Sequence, residues 1–139
     1  MPKERINRII QGDRLFHLYK MELVEASEGY AKVKAKVLED FLNAHKIAHG
    51  AMIFALLDVA FAISVNSIED AVGVQFSFNI FRSTNLGDTI IAESKVIHRG
   101  KRSLVVEVKA ESEKSGKLLA KGTATALPFP AEKSKEVEK

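Results

Sequence analysis

In the run AMIFALLDVAFAISV, Ala51 to Val65, every residue up to Ile63 is apolar except Asp58. A carboxylate withdrawn from water without a partner is costly or takes up a proton. Leucine would serve helix propensity and packing better at that position. Two readings fit an acid there. It is either a hydrogen-bonded tie from a helix to a neighbouring strand, or a group kept for chemistry, since isolated acids with perturbed protonation gather at functional sites. Just upstream, Asn43, His45 and His49 precede Gly50. A helix that begins on a small residue exposes unpaired backbone N–H groups and the positive end of its dipole. Such a terminus can hold a developing oxyanion, although a glycine chosen for close packing reads equally well when taken alone.

The spacing of the two residues has a consequence for assembly. Eight residues separate Gly50 from Asp58, about 12 Å along a helix axis, too far for both to reach one carbonyl group. Two such helices packed antiparallel across a two-fold axis would set the Gly50 N–H of one subunit opposite Asp58 of the other. If the residues cooperate, the minimal active unit is a homodimer with two equivalent composite sites.

The surrounding elements must position this pair. Ile6, Ile9 and Ile10 fall at helical spacing with Gly12 as a stop, which predicts a short amphipathic helix over 1–13. Leu15 to Val24 fits a strand. From Gly29 on, Ala31, Val33, Ala35 and Val37 alternate with Lys32, Lys34 and Lys36, the period-2 signature of a sheet with one wet face. Glu28 and Gly29 make the turn between these two strands. After the apolar helix come strands at about Ala71 to Phe81, Asp88 to His98, Ser103 to Ser112 and Lys117 to Leu127, joined by short loops suited to antiparallel neighbours. Residues 131–139, AEKSKEVEK, have balanced charge and little to bury, and read as a flexible tail.

One helix that is apolar nearly all round must be enclosed. An antiparallel sheet curled around it meets that need and leaves the lysine face in water. The expected architecture is therefore α+β, a hotdog fold in a single domain spanning 1–139. The apolar run has about 15 residues, short of the ~20 needed to span a bilayer, and the N-terminal residues lack the apolar core of a secretory signal. No membrane association and a cytoplasmic location are expected.

Composition removes other chemistries. There are no cysteines among the 139 residues, so disulfides, thiolate nucleophiles and thiolate metal ligands are excluded. The eight glycines form neither a G-x-S-x-G elbow, nor a dinucleotide fingerprint, nor a P-loop. His45 and His49 sit four apart but lack a third ligand nearby, so no metal is expected. His17 and His98 stand alone on strand patterns and read as surface or packing residues. A net charge of +3 suits phosphate-bearing ligands but lacks the clustering of a nucleic-acid binder, so no nucleic-acid partner is expected. Phe54, Phe61, Phe76, Phe78 and Phe81 fit either an aryl-friendly pocket or core packing.

The segment Asp40 to Ser67, DFLNAHKIAHGAMIFALLDVAFAISVNS, resembles the motif region of hotdog-fold acyl-CoA thioesterases of the phenylacetyl-CoA (PaaI-like) type. The shared skeleton is Asn43, six residues, His49-Gly50, seven residues, then Asp58. FNIFRSTNLGDTI is similar to the family's strand and turn, with Ser83 where proline is usual, and GKLLAKGTATAL is similar to its last strand. Ala51 replaces the usual second glycine. The resemblance covers about Leu15 to Leu127.

That resemblance implies Asp58 as the catalytic carboxylate, acting as nucleophile or as general base on water. It implies that the Gly50 N–H polarises the thioester carbonyl while Asn43 and His49 help to place the thioester or the water. Members with a Ser or Thr on the strand after the helix align it with Gly73 or Gln75, with Ser77 nearby. Arg82, Arg99, Lys101 and Arg102, in or beside turns, are candidates for the phosphates of coenzyme A; each reads equally as a solvated charge. The implied activity is hydrolysis of a small, medium-chain or aryl acyl-CoA, with no cofactor other than the coenzyme A of the substrate. The implied assembly is a homodimer, extended to a tetramer as a dimer of dimers. The rival function is a hotdog protein that binds acyl-CoA without turnover.

Overall fold

The computed structural model describes residues 2–129; the expected tail at 131–139 lies outside them. Its elements are helices α1 (Pro2–Gly12), α2 (Arg14–Leu18) and α3 (Gly50–Asn66), and strands β1 (Glu22–Ser27), β2 (Tyr30–Lys36), β3 (Ala71–Ile80), β4 (Thr89–Arg99), β5 (Leu104–Ser112) and β6 (Leu118–Pro128). The strands form one sheet in the order β1-β2-β4-β5-β6-β3, antiparallel throughout. The sheet curls around α3, which makes contact with every strand. This is the hotdog arrangement.

Alternation in the strands explains how the sheet holds the helix. In β2, Ala31, Val33 and Ala35 are buried against α3 while Lys32, Lys34 and Lys36 remain on the wet face. On that outer face Glu93 receives the Tyr30 hydroxyl and pairs with Lys32 and Lys109. The inner face is made of small and branched residues, among them Ala92, Val106, Val108, Ala110, Ala120, Ala124 and Ala126, all buried. Small residues opposite a helix rich in Leu, Ile and Phe let the sheet approach that helix closely.

Inside this core two hydroxyls satisfy each other: Ser64 and Ser94 share a hydrogen bond of 2.7 Å. At the far end of α3 the Ser67 hydroxyl accepts the Gly29 N–H at 2.8 Å. Gly29 has φ +74, a left-handed conformation that glycine adopts at no steric cost. Asn66 closes the turn into β3 by donating to Ala71 O and accepting the Ala71 N–H.

One expected strand is shorter than its sequence pattern. Leu15 to Val24 does not form one element: Arg14–Leu18 is the helical turn α2, and β1 begins only at Glu22. Asp13 starts that helix by accepting the Phe16 N–H on its side chain, an N-cap that the alternation of Leu15, His17 and Tyr19 conceals. Phe16 is buried in the core, and tertiary packing overrides the local strand pattern. His17 accordingly lies on a helix, where its Nε2–H donates to Ile10 O at 3.0 Å.

Candidate active site

The start of α3 is built by the loop before it. Asn43 Oδ1 accepts the N–H groups of His45 at 2.9 Å and Ile47 at 3.3 Å, which bends the chain so that His49 becomes the N-cap of α3. His49 Nδ1 accepts the Ala51 N–H at 2.9 Å. With Nδ1 an acceptor, the neutral ring carries its hydrogen on Nε2. A second loop braces the same segment: Ser83 Oγ donates to Ala48 O at 2.8 Å, and Ala48 N–H donates to Thr84 O at 2.9 Å. Proline at position 83 would lack that donor.

One donor remains at this terminus. Among the described residues the Gly50 N–H meets no acceptor, whereas that of Ala51 is taken by His49 and those of Met52 and Ile53 by His49 O. A Cβ at Gly50 would meet only Ile80 Cδ1, at 3.5 Å. The position is thus open, and its N–H sits on the positive end of a 17-residue helix.

Asp58 lies two turns further on. The least buried positions of α3 after its first residue are Ala51, Phe54, Asp58 and Ala62, spaced three and four apart, and they mark the stripe that the sheet leaves uncovered. Asp58 is half-buried, and burial pushes its carboxyl above the ordinary value, with a further upward push from the charge of Asp13. No hydrogen bond holds it among the described residues. The hydrogen-bonded tie to a strand is therefore not what Asp58 provides. A half-buried acid with a raised pKa and free oxygens is a stronger base than an ordinary carboxylate and is suited to take a proton from water or to attack an electrophile.

Phe54, one turn before Asp58, stacks on Phe78 (centroids 5.5 Å apart, 9° between planes) and meets Phe76 edge-on at 5.3 Å. Phe76 also packs on Phe61 at 5.0 Å. These rings define which face of β3 looks toward α3.

They also place Gln75 and Ser77 elsewhere. Alternation from the buried Ala71 would aim 73, 75 and 77 at the helix, but Val74 is an extra residue in a bulge between Gly73 and Gln75. The bulge reverses the parity, so Phe76 and Phe78 face α3. Gln75 and Ser77 are exposed on the opposite face, and neither is brought to Asp58 of its own protomer. Gly73 itself lies against the rings of Phe61 and Phe76, which a Cβ would meet at 2.7 and 2.9 Å.

The basic candidates divide between two ends of the molecule. Arg82 is exposed beyond the end of β3, the end at which Ile80 neighbours Gly50. Arg99, Lys101 and Arg102 belong to the other end, where Val96 and Ile68 pack beside Gly29. Arg99, Lys101 and Arg102 are exposed there. His45 is exposed, and no three His, Asp or Glu side chains gather as a metal centre among the described residues.

Sequence reasoning missed two residues that shape this region. Asp88 accepts hydrogen bonds from the Thr84 and Ser112 hydroxyls and from the Thr89 and Lys114 N–H groups, fixing the loop that braces the α3 start. Asp13 acts on Asp58 through its charge. The Gly-Asp pair at 87–88 signals a turn, whereas the approach of Asp13 depends on how α1 docks.

Comparison with known proteins agrees with this architecture. Residues 45–119 match the Thioesterase superfamily. A putative esterase of Archaeoglobus fulgidus is 36% identical over 116 residues, covering 81% of this chain and 75% of that protein. The acyl-coenzyme A thioesterase PaaI of Escherichia coli is 34% identical over 89 residues, 63% of this chain and 64% of the relative. The structure of Escherichia coli PaaI superposes with a TM-score of 0.88 at 25% identity, covering 93% of this chain and 94% of that one. The Streptococcus mutans protein smu.793, solved bound to acetyl CoA, gives a TM-score of 0.72 at 31% identity over 78% of this chain and 88% of that one. The chain belongs to the thioesterase superfamily. It is a thioester hydrolase of the acyl-CoA thioesterase family with a hotdog fold of the PaaI-like type. Among the described residues no helix is long and apolar enough to cross a membrane.

Proposed function

We propose that this protein hydrolyses a small, medium-chain or aryl acyl-CoA thioester to the free acid and coenzyme A, with Asp58 as the catalytic carboxylate and the Gly50 N–H of the partner subunit as the carbonyl-polarising donor. The observation that carries this reading is the coincidence, on one helix, of an unpartnered carboxylate and an unpartnered terminal N–H. A thioester is already activated toward acyl transfer, so one carboxylate and one donor suffice in principle.

As general base, Asp58 takes a proton from water while the water oxygen adds to the carbonyl carbon. The Gly50 N–H stabilises the charge on the carbonyl oxygen. Collapse of the adduct breaks the C–S bond, and the proton passes to the departing thiolate. As nucleophile, the carboxylate would instead displace the thiolate and form an anhydride, which water then opens to the acid. Asn43 Nδ2 and His49 Nε2–H, left over after these side chains have shaped the loop, are the nearby donors for placing the thioester or the water.

Homodimerisation completes the site in this reading, with a tetramer as a dimer of such dimers. Its support is β3, an edge strand with one unpaired side, beside which Phe54, Val72, Val74, Ile80 and Phe81 leave apolar surface exposed. An unprotected apolar edge is a template for pairing. An antiparallel two-fold would bring Arg99, Lys101 and Arg102 of one subunit to the level of the other's Gly50 and Arg82, which gathers the basic residues for the coenzyme A phosphates.

The test is thiol release from a panel that includes phenylacetyl-CoA and hexanoyl-CoA. Asp58→Asn is expected to keep the fold and acyl-CoA affinity and to lower kcat by about 10²–10⁴. Wild-type rates in that variant would remove Asp58 from the mechanism. Tight binding by the unaltered protein without thiol release from any member of the panel would favour the acyl-CoA sensor instead.

A further inference from the structure

Along α3 and β3 the contacts run in step but in opposite directions. Ile80 bounds the space beside Gly50, the Phe54 ring meets Phe76 and Phe78, and Phe61 lies against Phe76 and Gly73. The helix therefore runs antiparallel to the strand beneath it. Among the described residues Phe54 is the one large apolar side chain of α3 left exposed, at 37%. It sits one turn after Gly50 and one turn before Asp58, and steps of four residues keep all three on one face of the helix.

Two constraints put a two-fold axis at this ring. The first is chemical. If the Gly50 N–H of one subunit stands opposite Asp58 of the other on antiparallel helices, then position 54, midway between them, faces its own copy. The second is structural. β3 offers an unpaired edge, and antiparallel pairing of Ala71–Ile80 with a second copy of itself along its whole length sets the axis at Gln75 and Phe76, the middle of the strand. Phe76 meets the Phe54 ring edge-on. The helix pair and the strand pair thus require the same axis, although neither constraint uses the other.

We propose that Phe54 is a specificity-determining residue: its ring and that of the partner subunit's Phe54 meet at the two-fold axis and form the common end wall of both acyl pockets, limiting hydrolysis to short or flat acyl groups. This rests on the reading of Asp58 and the partner subunit's Gly50 as one composite site.

The surroundings of such a site differ with direction. Away from the axis, each helix start presents His49 and Asn43, with Arg82 past the end of β3, polar groups suited to the coenzyme A portion. Toward the axis stand the rings of Phe54, Phe76 and Phe78. An apolar acyl group gains by leaving water against those rings. Four residues of helix separate Asp58 from Phe54, about 6 Å of room along the axis. Phe78 stacked on one side and Phe76 edge-on on another hold the Phe54 ring in place.

The sequence has no cysteine, so Phe54→Cys and, two turns further along the same face, Ala62→Cys each give the chain a single thiol. Treated at low protein concentration with a short bis-maleimide, the Phe54→Cys protein should run as a covalent dimer on a denaturing gel. The Ala62→Cys protein should not, because its two thiols stand about 24 Å apart along the helices. No covalent dimer through position 54, or one formed equally well through position 62, would overturn the placement at the axis. Selectivity is read as kcat/KM for decanoyl-CoA over that for butanoyl-CoA. Phe54→Ala is expected to raise this ratio about tenfold or more, and Phe54→Trp to lower it, since a single methylene in an apolar pocket is worth about tenfold or more. Lost packing alone would lower both rates together, so an unmoved ratio in correctly folded Phe54→Ala overturns the specificity role. Asp58→Asn on the same substrates separates the two levels. Rates unchanged in Asp58→Asn overturn the composite site itself, whereas an unmoved ratio in Phe54→Ala beside an inactive Asp58→Asn overturns Phe54 alone.

Discussion

Asp58 and Asp88 are both withdrawn from water, and their surroundings send their protons in opposite directions. Burial pushes both carboxyls upward, but four hydrogen bonds from Ser112, Thr84, Lys114 and Thr89 outweigh it at Asp88 and hold that group below its ordinary value. Asp88 therefore contributes stability above its unfolded pKa that is lost as pH falls through its folded one. Among the described residues Asp58 has no such donors, and burial leaves its folded pKa above the ordinary 3.8. Between the two values the native state holds the extra proton, and stability declines as pH rises through that window. Asp58→Asn should consequently melt above the wild type at pH 7 and lose that advantage in acid near pH 3, where both side chains are neutral. Scanning calorimetry at the two pH values checks this. A variant less stable at pH 7 would mean that the carboxylate is structural after all. An acid retained at a cost in stability was legible in the sequence from its apolar neighbours, but two of the four donors of Asp88 come from Ser112 and Lys114, more than twenty residues away, and were not.

At the scale of elements, β3 and the N-terminal turn of α3 limit what the site can do. Gly122 on β6 pairs with Phe78, and a Cβ there would collide with Ser77 O and the Phe78 backbone. Backbone cannot yield as a flexible side chain does, so Gly122→Ala should cost at least the ~1–3 kcal/mol of an overpacked core and loosen β3 from the sheet. Denaturant unfolding, with hydrogen exchange along β3, measures both effects. The strand was readable from its alternation and turn signals, as were β2, β4, β5 and β6. Its bulge at Val74 was not, because one extra residue leaves the apolar pattern almost unchanged while reversing which side chains look inward. The resemblance implied Gln75 and Ser77 from their positions along this strand, and position along a strand does not reveal the face. The strand expected over Leu15 to Val24 failed on a similar point, since the cap at Asp13 and the burial of Phe16 turn its first part into a helix.

At the scale of the whole molecule, the distance between Gly50 and Asp58 and the bare edge of β3 argue for sites shared between two subunits. Gly50→Pro offers a clean probe. Position 50 is the first helical residue, where proline is tolerated, and His49 already has the extended backbone (φ -65, ψ 140) that a following proline requires. The substitution removes the N–H that meets no acceptor among the described residues and little else. Gly50→Pro and Asp58→Asn homo-oligomers should each be nearly inactive, and mixing them with subunit exchange should restore activity. In an equimolar mixture of exchanging dimers about half are hybrids, each with one intact site, so recovery should approach a quarter of the wild-type rate. Confirmed exchange without recovery would place both residues in one protomer's site. The sequence alone determined the enclosed apolar helix, the wet-faced sheet, the anomalous acid and the helix start eight residues before it, because local periodicity and the cost of burying charge are written in residue order. Only the tertiary structure decided which face of β3 looks inward and which N–H at the helix start stays free. Each of those depends on hydrogen bonds and packing between segments far apart in the chain, whose energies no local pattern records.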